Sequence, residues 1–276
     1  MKIIVGQMNT LEVVREIRGA WVLTDGEDSV HLPSEEAPWD IDVGGDIEVF
    51  VYTNRGVRTA TTRRPAGTVG QFVCLEVVDI AEAGVFCAWG LDKDLLIPNN
   101  KIHSPLKIGD RVVVAIVLDR DQRIMGVSWL QKYFRTDTSR LQLGQRVNMM
   151  VYGETDRGFL VVVEDKWGGM LFFDQTHRDL EVGLELPGFI TGIRDDARLD
   201  LSLSLPVPKH EALHGELKFL AEEIKGRGGF LPLTDKSSPD DIRRELRMSK
   251  KAFKRAVGGL YKTHKIQIED GGIRWK

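Results

Sequence analysis

Gly67-Thr-Val-Gly-Gln-Phe-Val-Cys-Leu-Glu-Val-Val-Asp-Ile-Ala-Glu-Ala-Gly84-Val-Phe86-Cys-Ala88 begins the stretch, running on to Lys132, whose reading decides the fold. Behind it come Asp94-Leu-Leu-Ile97-Pro98, then Ile108-Gly109-Asp110 opening the apolar run Val112 to Leu118, then Asp119-Arg-Asp-Gln-Arg123-Ile124. These are five short strand signals separated by Gly, Asp, Asn and Pro, the size and rhythm of a five-stranded antiparallel barrel. Weaker copies lie on both sides. Gly84 and Gly109 are 25 residues apart, Gly158 and Gly183 also 25, and Gly19 and Gly45 26. Arg58, Arg123 and Arg198 follow the second glycine at a similar offset each time. A small barrel needs residues that turn sharply or kink a strand, which accounts for glycine at a fixed spacing. The spacing predicts three barrels in a row.

The residues filling this frame resemble the S1 RNA-binding domain, one of the OB folds. That pattern has an aromatic after the glycine of strand two, an aromatic or His on strand three, and Asp-x-x-x-Arg before the last strand. The middle repeat supplies Phe86, Asp119 and Arg123, with Ile97 in place of His. The first supplies Trp21, His31 and Arg58 around a divergent last strand. The third supplies Phe172 and Arg198 but has Leu160 at the strand-two aromatic position. The resemblance implies base stacking on Trp21, Phe86 and Phe172, a hydrogen bond from His31 at the groove edge, and phosphates or bases held by Arg58, Arg123 and Arg198. Phe159 lies one residue out of register and is expected to face inward. Trp89 and Trp167 read as core.

Composition sets the outer limits. The 276 residues are too many for one small barrel and supply apolar side chains for several cores. No apolar run approaches the ~18 residues that span a bilayer. The start, Met1-Lys-Ile-Ile-Val-Gly6, is too short for an export signal, so a cytoplasmic protein is expected. Cys74 and Cys87 sit in strand-like contexts and read as reduced core residues, a cross-sheet bridge being the minor alternative. The net charge of −3 hides an asymmetry: residues 209–276 carry 16 basic and 10 acidic side chains, the remainder 22 and 31. An acidic body with a basic tail leaves one domain attractive to phosphates, so the barrels must bind by stacking more than by net charge.

The tail changes character. Leu213, Leu217, Leu220, Ala221 and Ile224 fall at helical spacing. Ser238-Pro-Asp-Asp241 is a helix start, with an N-cap serine, proline at the first position and acids on the positive end of the dipole. Ser249 caps a third helix, Lys250 to Lys262, with Phe253, Ala256, Val257 and Leu260 inward, and Gly258-Gly259 suited to close approach of another helix. Ile266-Gln-Ile268, a Gly-Gly turn and Ile273-Arg-Trp275 read as a hairpin. Three helices and a hairpin make a winged helix-turn-helix. Asp235-Lys-Ser-Ser-Pro239 and the whole of Ser249 to Lys262 resemble the C-terminal end of the conserved virulence factor B (CvfB, YitL-like) family. That family is described as three S1 domains and a winged helix with RNA binding as its activity.

The expected fold is therefore mainly β: three tandem S1-type OB-fold barrels (residues 1–62, 67–130 and 143–205) and an α+β winged helix-turn-helix domain (209–276). Arg63-Arg-Pro-Ala66 and Pro206-Val-Pro208 read as linkers. On the third tail helix Lys251, Lys254 and Arg255 share one side, with Lys250 at its start and no acid within it, the footprint of phosphate contact. His210-Glu-Ala-Leu-His214 fits H-E-x-x-H, but it opens a helix just past proline and runs into an apolar stripe, with no third ligand specified. No catalytic residue, metal, cofactor, membrane or small-molecule substrate is expected. The expected partner is single-stranded RNA, bound for post-transcriptional regulation of expression. The alternatives are duplex DNA read by the winged helix, and a scaffold in which the barrels only pack.

Overall fold

The computed structural model describes residues 2–176, 179–204 and 209–276, without the side chains of 209–212. Barrel one comprises β1 (Met8–Ile17), β2 (Ala20–Thr24), β3 (Ser29–Pro33), β4 (Asp46–Asn54) and β5 (Val57–Thr61). Barrel two follows with β6 (Phe72–Ala81), β7 (Gly84–Ala88), β8 (Leu95–Pro98), β9 (Arg111–Leu118) and β10 (Ile124–Val127). Barrel three has β11 (Arg146–Glu154), β12 (Gly158–Val163), β13 (Trp167–Phe172), β14 (Glu185–Ile193) and β15 (Leu199–Ser202). The tail folds as α1 (Lys209–Gly226), β16 (Phe230–Leu231), α2 (Pro239–Leu246), α3 (Lys250–Lys262), β17 (Ile266–Glu269) and β18 (Gly272–Trp275). This is the mainly-β class with a winged helix that the sequence predicts; β16, which extends the hairpin to three strands, is an addition.

Each barrel repeats one device. The long first strand pairs with the second strand at one end and the fourth at the other, and it slips register in the middle, between Val13 and Arg15, Val77 and Asp79, and Val151 and Gly153. The bulge bends the strand so that it can serve both partners. Barrels one and three close through a parallel pair between strands three and five. The middle one does not: its ladder runs β10-β9-β6-β7-β8 and stays open between β8 and β10. Gly126 lies at that seam, where a Cβ would stand 3.0 Å from the Ile97 side chain.

Register corrects the glycine spacing in barrel one. Gly84 faces Pro98 and Gly158 faces Phe172 across the strand-two to strand-three ladder, and the residue facing Pro33 is Ala20, not Gly19. Likewise Gly44, not Gly45, donates its amide to the first strand as Gly109 and Gly183 do. The first copy is thus 24 residues long between equivalents and its strand-two positions move by one.

Two compact units result, residues 1–134 and 135–276. Within the first, Phe50 of β4 belongs to the core of barrel two, where its ring meets Trp89 edge-on at 5.9 Å. The Arg63–Ala66 connection is packed too, the Ala66 amide donating to the Trp89 carbonyl at 2.7 Å. The tail has its own core of Leu220, Ile224, Phe253, Leu260 and Ile273 among others. Gly259 gives α3 its close approach to α1, since a Cβ there would lie 2.5 Å from Leu217. The Pro206–Pro208 connection lies outside the described residues. No helix is long and apolar enough to cross a membrane among the described residues.

Cys87 is buried in barrel two and burial pushes its thiol up to about 12. Cys74 stands on the opposite face of the sheet from its neighbours Val73 and Leu75, which pack on the core, so the two thiols do not form the bridge weighed from sequence.

Candidate nucleic-acid interface

Alternation along strands two and three decides which side chains look outward. Three cross-strand pairs occupy the same place in the three barrels: Val22 with His31, Phe86 with Leu96, and Leu160 with Met170. Phe86 and Leu96 are half-buried and stand outside the core of barrel two, an aromatic paired across the strands with an aliphatic neighbour. In barrel three the same place holds Leu160 and Met170, apolar but not aromatic.

Trp21 is corrected by one residue of register. It occupies the place of Val85 and Phe159, packs against the core of barrel one, and leaves buried Val22 where the stacking ring was expected. His31 is exposed at the outer edge. Phe159 faces inward as expected, edge-on to Phe173 at 5.3 Å. Trp89 is buried, and Trp167 packs on the third core while donating its indole N–H to the Asp137 carbonyl at 2.9 Å.

The three arginines are not equivalent. Arg123 and Arg198 close the hairpin before the last strand, each carbonyl accepting from the residue that opens it, Asp119 and Arg194. Arg58 lies one position further on, inside β5, paired with Asp28 at 3.1 Å. Arg123 holds Asp119 at 2.7 Å and Asp121 at 3.2 Å, and Arg198 holds Asp196 at 3.5 Å. Although burial pushes the Asp119 carboxyl up, the Arg123 amide and guanidinium bring it below the usual range. Each arginine would have to leave or share a carboxylate to meet a phosphate.

Phe172 ends β13, half-buried and outside the third core. Arg194 lies over its ring at 5.7 Å and is itself held by Asp200 at 2.7 Å. Around Phe172 is a cavity of about 180 Å³ lined by Arg157, Phe172, Phe173, Asp174, Arg243 and Ser249. Three elements meet there: the β11–β12 turn brings Arg157, the end of β13 brings the phenylalanines, and α2 with the cap of α3 brings Arg243 and Ser249. Arg157 is exposed and has no ion-pair partner among the described residues. Arg243 sits 5.8 Å from the Phe173 ring and only 3.7 Å-loose on Asp240. Two guanidinium groups, an aromatic face and the start of a 13-residue helix converge on one hollow. Such a set suits a phosphate with a stacked base. Sequence reasoning found Phe172 but missed Arg157, Arg194 and Arg243. The i, i+4 spacing of Arg243 and Arg247, on a helix whose other face carries Ile242 and Leu246, was the available signal for α2.

Of the α3 cations, Lys251 and Lys254 are exposed, Lys250 is half-buried at the helix start, and Arg255 is paired with Glu216 of α1, at 3.2 Å for its Nε. The helix carries no acid of its own, but α1 neutralises Arg255. Two lysines at the positive end of α3 oppose its dipole. The side chains of His210 and Glu211 lie outside the described residues, and His214 is exposed. No cluster of three metal-ligating side chains occurs among the described residues.

Comparison with known proteins gives two domain families: "S1 domain" matches residues 5–63 and 69–127, and "CvfB-like winged helix domain" matches 218–274. The chain is 30% identical over 277 aligned residues to YitL of Bacillus subtilis, covering 96% of this chain and 92% of that protein. It is 29% identical to conserved virulence factor B of Staphylococcus epidermidis, covering 99% and 95%. A solved multidomain protein with nucleic acid binding domains from Streptococcus pneumoniae aligns over 99% of this chain and 98% of its own, at 25% identity and a TM-score of 0.42. The matched domains support nucleic-acid binding.

Proposed function

The chain belongs to the family of YitL and conserved virulence factor B, and from that premise we propose that it binds single-stranded RNA and acts in the cytoplasm after transcription, by binding and not by catalysis. The observation that carries the reading is the hollow around Phe172, whose lining brings Arg157 and Arg243 together with that ring. An unpaired base has a free π-face to lay on such a ring, whereas a base inside a duplex does not. Phe86 with Leu96 offers a second stacking place in barrel two. Lys250, Lys251 and Lys254 add phosphate contacts, and Arg123 and Arg198 do so when they trade a carboxylate for a phosphate. His31 is what barrel one retains at the groove edge; Trp21 packs on the first core, Arg58 and Arg255 are held at the surface by Asp28 and Glu216, and the three stand outside the proposed contact set.

The competing assignment is duplex DNA read by α3, favoured by the exposed Lys251 and Lys254 alone. One titration separates them: labelled single-stranded RNA, single-stranded DNA and duplex DNA of equal length, at one salt concentration. Tightest binding to single-stranded RNA, weakened by Phe172→Ala, is expected. Tighter duplex binding, indifferent to Phe172→Ala, would assign the activity to the winged helix instead.

A further inference from the structure

All three barrels are net acidic, and barrel one is the most so. Residues 1–62 hold five basic and eleven acidic side chains, a net of −6. Two of the acids stand where barrel two has cations. Asp42 begins the turn that Lys107 begins in barrel two, and Asp46 opens the fourth strand as Arg111 does. Barrel three has acids at the same two places, Glu181 and Glu185, so the exposed loop and not charge alone sets barrel one apart.

The same loop carries Trp39, 96% exposed. It is not a loose end. The Ile41 amide donates to the Pro38 carbonyl at 3.3 Å, closing a turn with Trp39 and Asp40 at its corners. The Gly45 amide donates to Asp42 at 3.1 Å, closing a second turn with Val43 and Gly44 at its corners. Gly44, at φ +85°, donates to the Val13 carbonyl at 2.7 Å, and Ala37 and Ile41 pack on the core. Two consecutive turns, fastened to the barrel at both ends, thus present Trp39 and the 64% exposed Val43 in a twelve-residue stretch that also exposes Glu35, Asp40, Asp42 and Asp46. None of those four carboxylates has an ion-pair partner among the described residues. The corresponding loop of barrel two, between β8 and β9, has no tryptophan.

We propose that this double turn is a docking surface for a lysine- and arginine-rich segment of another protein. The indole face takes a guanidinium or ammonium group, the four carboxylates take its neighbours, and Val43 receives an aliphatic stem. Charge complementarity selects the partner: an acidic segment or a nucleic acid is repelled by the same groups. The inference does not depend on where RNA binds, because Trp39 is part of none of the nucleic-acid contacts described above.

The test uses the full chain and a fluorescein-labelled decapeptide of alternating arginine and lysine, followed by anisotropy at about 0.15 M salt, where distant charges are screened. Trp39→Ala is expected to weaken binding about two- to fivefold, the range of an exposed cation–aromatic contact. Asp40→Asn/Asp42→Asn/Asp46→Asn should weaken it further and flatten its salt dependence, while Glu76→Gln/Glu82→Gln on barrel two should leave it unchanged. Trp39→Ala should leave oligouridylate affinity, measured without the peptide, as it was. No peptide binding, equal losses from the barrel-two acids, or indifference to Trp39→Ala would each overturn the proposal. Loss of oligouridylate binding in the unaltered protein would instead count against the RNA reading alone.

Discussion

Arg247, the residue that ends α2, holds Glu154 of barrel three at 3.1 Å. Its guanidinium also pairs with Asp179 and lies 5.4 Å from the Phe173 ring. The backbone there is left-handed, φ 51°, where glycine is the usual choice. The side chain offsets that conformational cost by fastening the winged helix to the barrel, which keeps Arg243 and Ser249 against Phe172.

That arrangement predicts an unusual order of stabilities. Arg247→Ala loses the contacts and keeps the strain, and should destabilise residues 135–276 by ~1–2 kcal/mol. Arg247→Gly loses the same contacts but relieves the backbone, and should cost about 1 kcal/mol less. Urea midpoints of the full chain measure both. Equal midpoints would mean that the left-handed backbone carries no cost here.

Stacking and core phenylalanines should part company in barrel two. Phe86→Ala is expected to cost ~1–3 kcal/mol of RNA affinity, with the salt slope unchanged and a small effect on melting. Phe50→Ala should lower stability by ~3–5 kcal/mol because the ring fills a core. A Phe86→Ala protein that melts early yet binds RNA normally would remove the second barrel from the interface.

The α3 cations should also divide. Lys251→Glu/Lys254→Glu should weaken binding to every sequence and reduce the slope of log K against log salt by ~0.7 per lost contact on single strands. Arg255→Glu faces Glu216 and should act mainly through stability, with the slope nearly intact. Thermal melts beside salt titrations separate the two effects.

How much of this was legible beforehand depended on distance along the chain. Phe86, the capping serines Ser238 and Ser249 and the inward stripe of α3 are local patterns, and they were readable. Trp21 was misplaced because the Arg18-Gly19 turn shifts equivalence by one residue, which a period of two converts into the opposite face. Arg255 looked free because its partner Glu216 lies 39 residues away. The hollow at Phe172 could not be read at all, since its lining comes from residues 157 to 249 and no local spacing records that meeting.

The two cysteines give a chemical check on barrel two. Burial raises both thiols, Cys87 to about 12, so the reactive thiolate is scarce at neutral pH. Half-exposed Cys74 should react slowly with a disulfide reagent at pH 8, and Cys87 only after unfolding. Two thiols titrating at one rate in the native protein would contradict the position of Cys87 in the core.

Cleavage at an engineered protease site within residues 206–208 should leave 1–205 and 209–276 folded, because Leu220, Phe253 and Leu260 close a core within the tail itself. Circular dichroism of the separated pieces tests this. A tail fragment without helix would place the domain boundary elsewhere.

Phe50 belongs to the first barrel by connection and to the second by packing. On a ribosome adding ~5–20 residues per second, the first barrel can pair its strands once residue 61 is out, yet it then carries a bare phenylalanine. The 66 further residues that reach Val127 take roughly 3–13 seconds at that rate, and only then does the ring find its place. For that interval the newborn barrel is a template waiting for its neighbour, and a chain that stalls inside β6 to β10 presents a sticky aromatic surface to chaperones.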